Sequence, residues 1–177
     1  MSDSGATHRL HLLRHAKSSW KERGISDRER PLNGRGRESC ALIAAMLPRA
    51  GVRPDAVLVS PARRTAETYE LIKGGLRGDF EHWTEKRIYG ASTDTLLEVI
   101  QELPEAVGEA LVIGHNPAVE SLALMLAGEA GSGAGAAKMR HKYPTGAMAT
   151  FAIAAPWVRL RPTVAALERF VRPKDLR

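Results

Sequence analysis

Short apolar runs alternate along the chain with segments in which apolar residues recur at helical spacing. The runs over 10–13, 56–59 and 111–113 are rich in Leu, Val and Ile, which predicts buried strands. Three apolar faces of helical period are formed by Leu42, Ile43, Met46 and Leu47, by Ala66, Tyr69 and Ile72, and by Leu96, Leu97, Ile100 and Leu103. This alternation predicts a three-layer α/β/α sandwich with a mostly parallel central sheet.

The C-terminal third follows a weaker pattern. Residues 147–153 and 164–166 have strand character and are expected at a sheet edge, while the segment after them is compatible with strand or helix. The Gly/Ala-rich stretch 128–137 predicts a flexible surface loop, and residues 1–7 are expected to be disordered. A length of 177 residues predicts one compact domain over the whole chain.

Composition narrows the class of protein. The chain is 44% hydrophobic and 26% charged, which is typical of soluble domains, and its net charge of +6 favours anionic partners. The basic residues are scattered, which argues against nucleic acid, and no signal-peptide or membrane-span pattern is present, so we expect a cytoplasmic protein with no membrane partner. The oligomeric state stays open.

Few residues suggest a metal or redox site. The single cysteine, Cys40, falls in a helical pattern and is expected in the core. No zinc-like spacing and no GxxxxGK[ST] phosphate loop occurs, so no metal or cofactor is expected. Four histidines are expected to be surface or hydrogen-bonded core residues: His8, His11, His82 and His141.

Polar residues follow directly after each of the three predicted strands. They are Arg14 and His15 after the first strand, residues 60–64 after the second, and residues 115–117 after the third. Ligands of open α/β sheets bind beyond the carboxyl ends of the strands, so we expect these segments to converge.

Two of these segments contain a cap residue followed by proline. Ser60-Pro61 and Asn116-Pro117 each predict a helix that begins abruptly at the strand end. The free N–H groups and partial positive charge of a helix N-terminus favour a bound phosphate.

The side chains at these junctions suit phosphoryl chemistry. Two or three arginines, Arg14 with Arg64 and Arg63, offer planar donors to phosphate oxygens, and His15 and His115 bring two imidazoles with no carboxylate from the same segments. A neutral imidazole in cationic surroundings can attack phosphorus, because nearby positive charge disfavours its protonation. One histidine is then the nucleophile and the other an electrostatic partner.

Three motifs in this order resemble those of the histidine phosphatase superfamily, which includes phosphoglycerate mutase. They are LLRHAKSSW at 12–20, SPARRTAET at 60–68 and GHNP at 114–117. The resemblance implies a phosphoglycerate mutase-like fold and a phosphatase that works through a phosphohistidine enzyme intermediate.

The resemblance also assigns roles to residues. It implies that His15 accepts the phosphoryl group, that Arg14 and Arg64 bind phosphate, and that His115 stabilises the transferring charge. It further places Ser18 and Asn116 where they can reach the phosphate, as substrate-binding candidates.

Four short segments are most similar in sequence to the SixA-type phosphohistidine phosphatases: RHAKSSW, RPLN, SPARRT and YPTGA. That group lacks the insertions that roof the mutase site, so the resemblance implies an open cleft and a phosphohistidine in another protein as substrate. The partner is expected to be a phosphorylated protein or a small phosphorylated metabolite.

The proton donor of the superfamily does not align clearly. The carboxylic acid of related enzymes falls on Lys86 here, one residue from Glu85, which becomes the candidate. Further candidates are Asp27, Glu29 and Asp94, although the charged run 27–30 is otherwise expected to be a solvated loop before an Asn33-capped helix. A missing acid favours phosphohistidine, because imidazole is a better leaving group than an alkoxide.

Two other functions compete with a phosphohistidine phosphatase. One is a phosphatase or mutase for small phosphorylated metabolites. The other is a phosphate-recognition module without turnover, which the uncertain proton donor would favour.

Overall fold

A six-stranded sheet forms the centre of the computed structural model, which describes residues 8–129 and 131–177. The strands are β1 (His8–Arg14), β2 (Ala56–Val59), β3 (Glu81–Thr84), β4 (Glu109–Gly114), β5 (Met148–Ile153) and β6 (Ala165–Val171). The helices are α1 (Gly34–Arg49), α2 (Arg63–Ile72), α3 (Thr93–Gln101), α4 (Ala118–Ala127) and α5 (Ala134–His141). The strands lie in the order β3-β2-β4-β1-β5-β6.

Four neighbouring strands run parallel and two run against them. The β3–β2, β2–β4 and β4–β1 pairs are parallel, whereas β1–β5 and β5–β6 are antiparallel. The register aligns Arg14 with Gly114 and Val59 with Ile113, so β1, β4 and β2 end side by side. The predicted mostly parallel sheet is confirmed, and β6 is the predicted edge strand.

Helices cover both faces of the sheet. Leu10 and Leu12 of β1 and Leu58 of β2 point into one core, which α3, α4 and α5 complete. Leu13 and Val57 point into a second core beneath α1 and α2. Because successive strand residues face opposite sides, each strand serves both cores. The three-layer α/β/α sandwich is therefore confirmed.

The start of α1 fixes the segment that follows β1. Asn33 caps the helix, with its Oδ1 accepting a hydrogen bond from the Gly36 backbone at 2.9 Å. A Cβ at Gly36 would overlap the backbone of Lys17, so only glycine lets the helix approach this closely. The predicted cap at Asn33 is confirmed.

The two predicted Ser-Pro and Asn-Pro helix starts are wrong. The structure begins α2 three residues after Ser60 and α4 two residues after Asn116, and neither side chain caps its helix. The Ser60 hydroxyl instead lies 2.7 Å from His115, and the Asn116 amide donates to Glu120 at 2.8 Å. Both side chains are engaged by partners away from the first-turn amides.

Other departures concern segments with little apolar character. The stretch 128–137 was predicted to be a loop, but α5 begins at Ala134, so the prediction is wrong for 134–137. Residues 1–7 and Ala130 lie outside the described residues. Strand β3 was not predicted, because its sequence EHWT has no apolar run. After β6 the chain ends in a short 3-10 turn over Pro173–Leu176.

Across residues 8–129 and 131–177, no helix combines the length and apolar character that crossing a membrane requires.

Candidate functional site

The segments that follow β1, β2 and β4 meet in one cleft of about 730 Å³. Arg14, His15, Arg64 and His115 all line it. The ring centroids of His15 and His115 are 5.2 Å apart. The structure therefore brings together the four side chains that the sequence singled out.

The surroundings of His15 determine both the tautomer and the charge of its ring. Its side chain is 7% exposed, and its Nδ1 lies 2.7 Å from the backbone oxygen of Ala16. A carbonyl oxygen can only accept, so Nδ1 carries the proton and Nε2 keeps its lone pair. Burial is the main cause that lowers the pKa of His15 to about 3; His115, Arg64 and Arg14 act in the same direction, and the Ala16 hydrogen bond opposes them. The ring is neutral at physiological pH.

His115 has a different partner at the end of β4. Its Nε2 lies 2.7 Å from the Ser60 hydroxyl, and Tyr89 contacts it edge-on with the ring centroids 5.6 Å apart. Burial and the charge of Arg64 lower the pKa of His115 to about 4, with Asp27 opposing. This ring is also neutral near pH 7.

The two arginines are held by backbone oxygens. Arg14 Nη1 donates to the Tyr143 carbonyl at 2.9 Å, and Arg64 Nη1 donates to the Asp27 carbonyl at 2.7 Å. Burial lowers the pKa of Arg14, with Glu120 opposing, yet a guanidinium stays charged in proteins. Each arginine therefore presents a fixed positive charge to the cleft.

Four buried side-chain atoms lack a hydrogen-bond partner within the described residues, and all four belong to this site. They are Arg14 Nε, Arg64 Nε, His115 Nδ1 and Asn116 Oδ1. An unpartnered buried polar atom costs about 1–3 kcal/mol, so such atoms are rare in a folded protein. Their concentration beside His15, with two N–H donors among them, indicates a site built to bind an anion.

Asp27 lies directly behind Arg64, although its charged run was expected to be a solvated loop. Its carboxylate accepts from the Tyr89 hydroxyl at 2.8 Å, from Arg64 Nη2 at 3.1 Å and from Arg30 Nε at 3.1 Å. The Tyr89 hydrogen bond, followed by Arg64, holds the pKa of Asp27 at about 2 against an opposing effect of desolvation. Asp27 is thus ionised at neutral pH and orients Arg64. The two residues are 37 positions apart in the sequence, and no local pattern indicated their contact.

Glu85 does not line the cleft. Its carboxylate accepts from Arg87 Nε and Nη2, both at 3.1 Å, and this arginine lowers the pKa of Glu85. Arg87 also pairs with Glu102 at 2.7 Å. The geometry therefore disfavours Glu85 as a proton donor. In the described part of the chain, no aspartate or glutamate lines the cleft.

The two weaker candidates also lie at the cleft. Ser18 and Asn116 line it, and the Ser18 backbone is tied to α1 by the Asn33 amide at 3.3 Å. Across 8–129 and 131–177, no group of three or more His, Cys, Asp or Glu side chains is arranged to hold a metal ion.

Comparison with known proteins places the chain in a family. Residues 10–123 match the model of the histidine phosphatase superfamily (branch 1). An uncharacterised protein of Mycobacterium tuberculosis is 35% identical over 163 residues, which cover 92% of this chain and all of the relative.

Solved structures share the fold. The candidate phosphohistidine phosphatase SixA of Agrobacterium tumefaciens has a TM-score of 0.75 at 28% identity, over 94% of this chain and 98% of that one. The corresponding SixA candidate of Nakamurella multipartitia has a TM-score of 0.83 at 22% identity, over 97% and 99% of the two chains. The resemblance inferred from the three motifs is confirmed, and the chain belongs to the histidine phosphatase superfamily.

Proposed function

We propose that this protein is a phosphatase for phosphohistidine in other proteins and that it acts through a covalent phosphoryl group on His15. One observation carries the proposal: a neutral imidazole with a free Nε2 lies with the half-buried Arg14 and the buried Arg64 in one cleft, and no carboxylate of the described residues lines that cleft. Such a site binds a phosphoryl dianion and offers it a nucleophile, but supplies no carboxylic acid.

In the first step, Nε2 of His15 attacks phosphorus. The new N–P bond forms as the P–N bond of the substrate breaks, and positive charge develops on the His15 ring. The Ala16 carbonyl, 2.7 Å from Nδ1, stabilises that charge. Arg14, Arg64 and the unpartnered nitrogen of His115 bind the phosphoryl oxygens during transfer, because phosphoryl transfer depends mainly on positioning and charge stabilisation.

The leaving group explains why no acid is needed. A phosphohistidine whose far ring nitrogen has taken a proton from solvent departs as neutral imidazole. The step then exchanges one phosphoimidazolium for another. A serine alkoxide, in contrast, needs a positioned acid worth about 10²–10⁴ in rate.

In the second step, water attacks the phosphoryl group on His15. Both hydrogens of the water leave with the phosphate as dihydrogen phosphate, and His15 returns to its neutral form. The open cleft gives water access to this intermediate once the substrate imidazole has departed.

The relationship to SixA-type proteins supports the same substrate class. The Agrobacterium protein, at 28% identity over nearly the whole chain, carries the name of a phosphohistidine phosphatase candidate. That name supports phosphohistidine as the substrate.

The experiment compares two ³²P-labelled peptides that are identical except for phosphohistidine or phosphoserine at one position. We expect kcat/KM for phosphohistidine to exceed that for phosphoserine by at least about 100-fold, because only the ester lacks a good leaving group. Quenching in alkaline denaturant should trap labelled protein. His15→Ala should abolish both the label and phosphate release, whereas His141→Ala, at an exposed position outside the cleft, should retain both.

Three outcomes would contradict the proposal. A clear preference for phosphoserine would argue against phosphohistidine as the substrate. Movement of phosphate between positions of a sugar phosphate, without release, would indicate a mutase. Tight phosphopeptide binding by a wild-type protein that never becomes labelled would indicate a recognition module.

A further inference from the structure

The lining of the cleft contains nine basic residues and no acidic residue in the described part of the chain. The basic residues are Arg14, Lys17, Arg30, Arg35, Arg64, Lys142, Arg172, Lys174 and Arg177. One phosphoryl dianion does not require so many positive charges.

The positive charge of the chain is concentrated in this cleft. The whole sequence has 26 Lys and Arg against 20 Asp and Glu. Outside the nine cleft residues, the remaining seventeen basic residues are fewer than the twenty acidic ones. The net charge of +6 therefore arises from the cleft, and the rest of the molecule is slightly acidic.

Apart from Arg14 of the phosphoryl site, five of the nine basic residues form no ion pair with any carboxylate of the described chain. They are Lys17, Arg35, Lys142, Lys174 and Arg177, and we call them the basic rim. All five are exposed. Their neighbour Arg172, in contrast, pairs with Asp175 at 2.8 Å. The basic rim thus leaves its charge available to a partner.

The position of Arg35 is unfavourable for the fold alone. It lies in the first turn of α1, which contains no acidic residue. Helix N-termini carry partial positive charge and favour Asp or Glu, by about 0.3–1 kcal/mol per residue. A cation at this position points to a role in binding.

We infer that the basic rim recognises acidic side chains that flank the phosphohistidine of a protein substrate. This inference rests on the proposed function and specifies which protein surface binds beside the phosphoryl site. Positive charge on the rim attracts a negatively charged surface during encounter and disfavours a basic one.

The arrangement favours a protein surface over a second phosphate of a small metabolite. All buried unpartnered atoms of the described chain belong to the phosphoryl site, and none belongs to the rim. The rim cations come from separate segments, at 17, 35, 142 and 174–177. Trp20 also lines the cleft, 79% exposed, with its ring 3.4 Å from the Arg30 guanidinium. Exposed charges spread around an aromatic side chain suit a broad partner.

The test uses three phosphohistidine peptides that differ only in their flanking residues, which are acidic, neutral or basic. We expect kcat/KM to be about ten-fold higher for the acidic than for the neutral peptide at low ionic strength, and lowest for the basic peptide. At about 0.5 M salt the difference should largely disappear, because exposed charges are screened.

Charge reversal on the basic rim tests whether the rim causes the preference for the acidic peptide. The double variant Arg35→Glu/Lys174→Glu should reduce the acidic-to-neutral ratio of kcat/KM from about ten to about one or below. Arg77→Glu reverses the charge of an exposed arginine outside the cleft and should leave the ratio unchanged. Circular dichroism of both variants checks that they fold.

The outcomes separate this inference from the proposed function. Equal hydrolysis of all three peptides would overturn the inference alone. No hydrolysis of any phosphohistidine peptide would overturn the proposed function and the inference with it. A preference that persists in the double variant would overturn the role of the rim. A further outcome is that hydrolysis of a bisphosphorylated metabolite depends on Arg35 and Lys174 while acidic flanking residues have no effect on the peptides. That result would overturn the inference, because the ligand of the basic rim would then be a small polyanion.

Discussion

Three buried histidines lie on or directly after β1, and their partners differ. His8 and His11 each have a carboxylate at Nε2: Glu105 lies 3.4 Å from the first and Glu109 lies 2.8 Å from the second. His15 has a backbone oxygen at Nδ1 and no hydrogen bond from its Nε2 to the described residues. All three rings are buried to a similar degree, so burial does not distinguish them.

The difference between His11 and His15 separates a structural histidine from a reactive one. Both nitrogens of His11 are engaged, by Thr150 at 2.8 Å and by Glu109. No lone pair or N–H remains for a ligand. In His15, the hydrogen bond of Nδ1 to the Ala16 carbonyl fixes the tautomer, and Nε2 stays available for chemistry. His115 resembles His15 in this respect, because its Nδ1 is buried without a partner.

The largest effect should come from replacing one histidine of each kind by glutamine. His115→Gln removes a nitrogen that faces the phosphoryl site, and we expect kcat to fall about 10²–10³-fold, as for loss of one oxyanion donor. His11→Gln should change kcat less than about three-fold but should lower the free energy of unfolding by about 1–3 kcal/mol, because it disrupts buried hydrogen bonds. Steady-state kinetics and urea unfolding measure the two effects.

Similar behaviour of the two variants would contradict the distinction between a structural and a reactive histidine. Comparable loss of kcat in His11→Gln, in a protein that remains folded, would mean that a histidine with two satisfied nitrogens still takes part in the chemistry. Full activity in His115→Gln would remove the second histidine from the site.

The carboxylate that contacts Arg64 allows a second test, for which the expected effect is smaller. Asp27 contacts Arg64 and neither histidine, so it acts as a positioning residue. Asp27→Asn should lower kcat/KM about ten-fold through a weaker hold on Arg64, by the same factor for phosphohistidine and phosphoserine peptides. Glu29→Gln changes a carboxylate of the same turn for which the described residues show no side-chain hydrogen bond or ion pair, and should have no effect.

A proton-donating role for Asp27 predicts a different pattern. Loss of a general acid costs about 10²–10⁴ in rate and is most severe for a poor leaving group. A much larger loss with phosphoserine than with phosphohistidine in Asp27→Asn would therefore contradict the positioning role.

The fold was predictable where local pattern and chemistry agreed. Leucine and valine runs at strand length identified β1, β2 and β4, and Asn33 marked the start of α1 because an amide oxygen beside free N–H groups is a local interaction. Cys40 was correctly expected in the core. The polar strand β3 and the Gly/Ala-rich helix α5 were missed, because tertiary packing stabilises both and neither has an apolar period of its own.

The site was predictable only in part. Arg14, His15, Arg64 and His115 follow strand ends, and parallel strands end at one edge, so the sequence sufficed to bring them together. The contact between Asp27 and Arg64 joins a short 3-10 turn to the first turn of α2 and leaves no spacing signal. Ser60 was read as a helix cap for a related reason: its hydroxyl could serve a first-turn amide or His115, and only the fold decides between them.

The smallest effect concerns the protonation of His15 and His115. Their pKa values of about 3 and about 4 lie below the usual 6.5, because burial penalises the charged ring and the cleft arginines repel it. Imidazole resonances in ¹H–¹⁵N spectra, assigned with His15→Ala and His115→Gln, should therefore remain those of neutral rings at pH 6, with the proton of His15 on Nδ1.

The sign of the stability effect follows from the same shifts. Since the folded pKa values lie below the unfolded value, the unfolded chain binds more protons between about pH 6.5 and pH 4. Above about pH 6.5 these histidines should therefore not lower the free energy of unfolding. As the pH drops from about 6.5 toward 4, that free energy should fall. A His15 ring that is charged at pH 6 would contradict both expectations. Its Nε2 would then hold a proton and could not attack phosphorus, and the contrast with His11 would lose its chemical meaning.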